Sequence, residues 1–267
     1  MRLSRFAALT SSLLLAAGAA LFGAGQASAA QADFGYVALG DSYSSGVGSG
    51  NYDSASGNCK RSSRAYPALW AAAHAPQTFS FTACSGARTD DVLSGQLAPL
   101  NTGTDLVSLT AGGNDAGFSD VMTTCVLQSE TTCINRVNQA RAYVDSTLPG
   151  KLDALYNAVG SRAPNARVVV LGYPRFYKLG GGCVAGLSEG KRSAIDGAAD
   201  YLNAALAKRA ANHGFAFASV TGAFTGHEIC SGNEWLHSLN WANIGESYHP
   251  TAAGQSGGYL PVFTGAV

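Results

Sequence analysis

The chain has 267 residues, 46% of them hydrophobic and only 13% charged, with 17 basic residues against 17 acidic ones. That balance leaves no overall electrostatic footprint for nucleic acid or for an anionic membrane surface. The length and apolar content allow a sizeable buried core, in one large domain or two small ones.

The first segment reads as a secretory signal peptide over residues 1–29, with the mature domain over residues 30–267. Arg2 and Arg5 give a basic start, Leu13-Leu14-Leu15-Ala16-Ala17 an apolar centre, and Ala27-Ser28-Ala29 a small-residue exit. Gly18, Gly23, Gly25 and Gln26 interrupt the apolar run and no basic stop follows, which argues against a membrane anchor. No later stretch approaches the roughly 20 apolar residues a membrane span needs. Without Arg2 and Arg5, 15 basic and 17 acidic residues leave a net charge of −2. An exported, extracellular protein without a transmembrane segment is expected.

Next along the chain, Tyr36-Val37-Ala38-Leu39 is a short apolar run of the kind buried on both faces of a sheet. Residues 79–81, 106–110, 168–171 and 215–218 repeat the pattern, each run bounded by Gly, Pro, Asn or Asp. Helical patterns lie between them. Residues 65–73 and 134–144 are candidates, and Leu152, Leu155, Tyr156 and Val159 form a stripe. Pro149 separates these two middle helices. Ile195, Ala199, Leu202 and Leu206 form another stripe, with a stop at Asn212-His213-Gly214. A last helix is expected from Thr251. The stretch 46–58, rich in Gly, Ser, Asn and Asp, reads as a surface loop. Strands alternating with helices predict an α/β fold. It is a single-domain, three-layer α/β/α architecture around a parallel sheet of about five strands.

The six cysteines are Cys59, Cys84, Cys125, Cys133, Cys183 and Cys230. An even count in an oxidising compartment argues for three disulfides, with fifteen pairings open. Sequential pairing is favoured, since Cys125 and Cys133 can close a local loop. No pair has the C-x-x-C spacing of a zinc site, so no metal is expected.

Chemistry-bearing residues fall at the carboxyl ends of the predicted strands, where open α/β sheets bind ligands. Gly40-Asp41-Ser42 follows the first strand. An isolated serine there is most often a helix cap. Ala111-Gly112-Gly113-Asn114-Asp115 follows the third strand, and by itself is ordinary turn chemistry. Gly86 follows Cys84-Ser85 after the weaker second strand. Five histidines could supply a base. His74 reads as solvated and His213 as a helix terminus. His227-Glu228 is half of an H-E-x-x-H motif, which Ser231 breaks. His237 lies in a Trp-bearing loop. His249 precedes Pro250 and has Glu246 three residues upstream.

Taken together, Gly40-Asp41-Ser42, Gly86, Gly112-Gly113-Asn114-Asp115 and His249-Pro250 resemble the four ordered blocks of the SGNH hydrolases, the GDSL lipase/esterase family. They span almost the whole mature chain. The six-cysteine layout and Gly-Asp-Ser-Tyr-Ser-Ser-Gly look most like secreted actinobacterial lipases and esterases, phospholipase A1-type members included. The resemblance implies a flavodoxin-like SGNH fold. It implies Ser42 as nucleophile, His249 as general base, and an oxyanion hole from Ser42 N–H, Gly86 N–H and the Asn114 side chain. It implies disulfides Cys59–Cys84, Cys125–Cys133 and Cys183–Cys230, and no cofactor.

A hydroxyl needs a base within hydrogen-bond reach, and the developing oxyanion needs fixed donors, which suits those roles. Two departures stand out. Tyr43 replaces the Leu of the family name, with little expected effect on mechanism. Glu246 stands where many members carry Asp, so either its carboxylate or the main-chain carbonyl of Ser247 could orient His249. Asp41 and Asp115 are read as structural residues bonding nearby backbone.

The expected activity is ester hydrolysis on acyl esters of lipids by a monomer with a small-molecule or lipid substrate and no nucleic-acid partner. A phospholipase A1 or a polysaccharide acetyl esterase is the enzymatic alternative, with Trp235, Trp241 and Tyr248 as sugar-stacking candidates. A catalytically dead binding protein is the non-enzymatic one.

Overall fold

Five short strands form one parallel sheet in the order β2-β1-β3-β4-β5. They are β1 (Gly35–Gly40), β2 (Thr78–Phe81), β3 (Leu106–Thr110), β4 (Arg167–Leu171) and β5 (Ala216–Ala218). This computed structural model describes residues 34–183 and 186–267, so the expected signal peptide lies outside the described residues. All of β1 and β3 is buried, which explains their continuous apolar runs.

The crossovers between the parallel strands distribute the helices over two layers. α2 (Tyr66–His74) carries the chain from β1 to β2 and packs with the terminal α8 (Leu260–Ala266). α3 (Thr89–Gly95), α6 (Leu148–Arg162) and α7 (Glu189–Asn212) form the other layer. α4 (Phe118–Leu127) and α5 (Glu130–Ser146) precede α6, and α5 packs on both α6 and α7. The remaining helix, α1 (Ser42–Ser45), is one turn directly after β1. Pro149 falls in the first turn of α6, where its missing N–H costs no helix bond.

The chain leaves β1 toward β2 on one side and later returns to place β3 on the other. That reversal opens a crevice at the carboxyl ends of β1 and β3. Among the described residues, all cysteines are paired, as Cys59–Cys84, Cys125–Cys133 and Cys183–Cys230. The second bond staples α4 to α5. No helix among the described residues is long and apolar enough to cross a membrane.

The stretch 46–58 is a surface loop in its second half, where residues 51, 53–55, 57 and 58 are exposed, and departs from that expectation in its first. Residues 46–49 are buried, and Ser54–Cys59 is a 3-10 helix. Gly48 is the reason: a Cβ there would lie 2.7 Å from the Pro250 carbonyl oxygen and 3.1 Å from His249 Cβ, so the bare backbone packs beneath the histidine. The helix expected from Thr251 is a π-helical turn, Gly254–Tyr259, running into α8.

Candidate active site

The turn that carries Ser42 is fastened from several directions. Gly40 ends β1 at φ +125°, and a Cβ on it would lie 2.6 Å from the Thr110 carbonyl oxygen, so only glycine fits. The buried Gln96 amide clamps it, accepting from Gly40 N at 2.7 Å and donating to Gly40 O at 2.9 Å. A second buried amide, Gln255, donates to Tyr43 O at 3.0 Å and accepts from Tyr66 N at 2.9 Å.

Asp41 caps α1. Its carboxylate accepts from Tyr43 N at 2.9 Å, the Thr110 hydroxyl at 2.7 Å and the Tyr173 hydroxyl at 2.5 Å. Burial pushes its carboxyl up to about 6, against the pull of those three donors. It therefore ties β1, β3 and the segment after β4 together, a wider reach than bonding to nearby backbone. Asp115 also reaches far, accepting from Thr89 N at 3.0 Å and the Thr89 hydroxyl at 2.6 Å to hold the start of α3.

His249 Nε2 lies 2.7 Å from Ser42 Oγ, and its Nδ1 lies 3.0 Å from the Ser247 carbonyl oxygen. Glu246 turns elsewhere: its carboxylate accepts the Tyr52 hydroxyl at 2.7 Å. The loop bearing His249 closes on itself through His237 N to His249 O and Tyr248 N to His237 O, both 2.9 Å. The Tyr43 hydroxyl donates to Tyr248 O at 2.7 Å. The departure at position 43 thus has a structural part to play. It links the helix of the serine to the residue before the histidine. Burial holds the His249 imidazole down at about 4, with the charges of His237 and Lys60 adding to the shift and the Ser247 carbonyl opposing it. The ring is neutral at neutral pH and free to take a proton.

The other four histidines are occupied elsewhere. His74 stacks on Trp70, His213 pairs with Asp153 at 2.8 Å, His227 stacks on Trp235, and His237 bonds the Gly48 carbonyl at 2.7 Å.

Two loops face the Ser42 turn. Gly86 adopts φ +78° with open space on its Cβ side. The Asn114 side chain donates to Ala87 O at 3.0 Å, which ties the third-strand loop to the Gly86 loop and leaves a second amide hydrogen to offer. The N–H groups of Ser42 and Gly86 have no hydrogen-bond partner among the described residues.

Ser42 and Asn114 line the polar end of a cleft of about 700 Å³, counted to its open mouth. The rest of the lining is mostly apolar, from Val121 and Met122 on α4, Val144 on α5, and Ile195, Ala199 and Leu202 on α7. Sequence reasoning missed this cleft, because one of its walls comes from α7, far along the chain from α4 and α5. Among the described residues, no group of three or more His, Cys, Asp or Glu is placed to hold a metal ion.

The family model of the GDSL-like lipase/acylhydrolase family matches residues 38–256. Lipase 1 of Streptomyces coelicolor is 69% identical, with all of both chains covered. The crystal structure of phospholipase A1 from Streptomyces albidoflavus NA297 superposes with a TM-score of 0.86 at 68% identity, covering 87% of this chain and 99% of that one. The extracellular lipase from Streptomyces rimosus superposes with a TM-score of 0.86 at 65% identity, covering 88% of this chain and 100% of that one. With family blocks, sheet order and full-length relatives in agreement, the chain belongs to the GDSL-like lipase/acylhydrolase family of carboxylic-ester hydrolases.

Proposed function

We propose that the mature chain, 30–267, is a secreted lipase that cleaves acyl esters of lipids through an acyl-enzyme on Ser42. One observation carries the reading: Ser42, His249 and the Ser247 carbonyl form a hydrogen-bonded line at the polar end of an apolar cleft. His249 Nε2 takes the Ser42 proton as Oγ attacks the ester carbonyl. The negative charge moves to the carbonyl oxygen, where Ser42 N–H, Gly86 N–H and the Asn114 amide are the donors. His249, now protonated and held through Nδ1 by Ser247 O, gives its proton to the leaving alcohol. Water then follows the same route in reverse and releases the acid. The chain's own residues supply every proton transfer, so the reading needs no cofactor.

Secretion is supported by the three disulfides and by a relative described as extracellular. The apolar walls suit a long acyl chain better than an acetyl group, which favours lipase or phospholipase A1 over acetyl esterase. The test is labelling by a fluorophosphonate probe, followed by hydrolysis of nitrophenyl esters, triacylglycerols and phospholipids. Labelling of the wild type and none of Ser42→Ala is expected, with turnover of long-chain esters. Labelling that survives in Ser42→Ala, or turnover of acetyl esters alone, overturns the reading.

A further inference from the structure

Trp241 is 69% exposed and Ile244 57% exposed, on the 3-10 helix Trp241–Glu246. Leaving a tryptophan and an isoleucine in water contributes nothing to folding, and grouped exposure of this kind marks an interaction surface. The tip is built, not frayed. The Asn240 side chain caps it, accepting from Ala242 N at 3.0 Å and Asn243 N at 3.3 Å. Its arms are closed by Asn240 N to Ser247 Oγ at 2.9 Å and by the bridge between Leu236 and Pro250. The base of the same loop carries Ser247 and His249, so whatever the tip touches is brought to the loop of the candidate base.

Lys60 lies beside this tip: a Cβ on Gly245 would be 3.4 Å from its Nζ. Among the described residues Lys60 has no hydrogen bond or ion pair from that amine. Glu246, the acid within the tip, is engaged by Tyr52. An ammonium with no hydrogen bond or ion pair, beside the loop tip that carries an exposed tryptophan and isoleucine, is complementary to a phosphate head group above acyl chains. Tryptophan is also the side chain best suited to an oil–water boundary, with an apolar body and one N–H. The near-neutral chain gives no long-range pull, so such a contact acts only at short range.

We propose that Trp241, Ile244 and Lys60 form an anchor that seats the enzyme on the surface of aggregated phospholipid. The proposal rests on the lipid-ester reading for its biological sense, but its test does not depend on turnover. The Ser42→Ala protein is sedimented with vesicles of phosphatidylcholine, and of phosphatidylcholine mixed with phosphatidylglycerol. Adding Trp241→Ala and Ile244→Ala should lower the vesicle-bound fraction about tenfold or more on both. Adding Lys60→Glu should weaken binding chiefly to the anionic vesicles. With Ser42 intact, Trp241→Ala/Ile244→Ala should hydrolyse a soluble short-chain nitrophenyl ester within about twofold of wild type, since neither side chain reaches the cleft.

Unchanged sedimentation overturns the anchor, as does an equal loss on the soluble ester. A tip that instead joins two copies of the chain overturns it too, and shows as a dimer mass that Trp241→Ala abolishes. If vesicle binding depends on Trp241 while the wild type cleaves no lipid ester, the functional reading fails and the anchor stands. If lipids are cleaved but binding ignores Trp241, the anchor alone fails.

Discussion

The carboxylate of Glu246 accepts the Tyr52 hydroxyl at 2.7 Å, and the Nδ1 of His249 faces the Ser247 carbonyl instead. The proposed dyad, oriented by the main chain, makes a sharp prediction. Glu246→Gln should lower kcat/KM on a soluble ester by less than about fivefold, since the amide oxygen still accepts from Tyr52. Loss of an orienting carboxylate in a triad costs roughly 10⁴-fold. A thousandfold loss in this variant would return Glu246 to the triad.

The pH profile follows from the buried imidazole. Held at about 4, His249 stays neutral well below the ordinary histidine range. The acid limb of kcat/KM should therefore sit near pH 4, with activity retained at pH 5.5. A limb centred on 6.5 would contradict this. Stability has the same sign for this group. Its depressed value stabilises the fold above about 6.5 and loses that contribution as pH falls through about 4. Asp41 and Asp196, raised to about 6 by burial, act in the opposite sense. Their contribution is complete below the ordinary carboxylate range and is lost as pH rises through 6. The two carboxyls together outweigh the single imidazole, so thermal midpoints should fall modestly as pH rises from 4 to about 6.5 and level off above it.

Tyr43 offers a test of positioning. Tyr43→Phe keeps the buried ring and removes the bond to Tyr248 O at 2.7 Å. Stability should fall by about 1 kcal/mol, the ordinary worth of a buried hydrogen bond. The loop before His249 loses a tether, so kcat should fall about three- to tenfold with KM nearly unchanged. A change confined to KM would assign the hydroxyl to substrate binding.

The cleft predicts chain-length selectivity. Ala199 on α7 is buried in its wall, and Ala199→Phe should fill the space between α4, α5 and α7. Hydrolysis of long-chain esters should fall at least about tenfold relative to acetyl ester, at a packing cost of about 1–3 kcal/mol. Equal losses on both esters would mean that the acyl chain lies elsewhere.

Much of this architecture is legible in the residues. The five strands are readable because each is a short β-branched or aromatic run with turn residues at its ends, and helices with a clear stripe such as α7 follow the same logic. Two helices are not. α3 has seven residues and hardly any apolar face. In α4, paired threonines and a cysteine blur the period. Within the site, the blocks around Ser42, Asn114 and His249 stand out because their chemistry is local. Contacts between distant segments do not. The bond from Tyr43 to Tyr248 spans 205 positions, and Gly48 under His249 looks like one more loop glycine. Glu246 and Ser247 are equally eligible in one dimension. Tyr52, 194 positions away, separates them by capturing the carboxylate.

The acceptor at His249 Nδ1 belongs to the peptide backbone. No single codon change at position 247 deletes it, because every amino acid brings a carbonyl. A Ser247→Ala enzyme would keep the acceptor, whereas a one-residue deletion between Asn240 and His249 would shift it out of register. In the proposed mechanism this acceptor is fixed by the length of a loop. It should survive substitution and be lost on insertion or deletion, and a search for a matching side chain would pass over it.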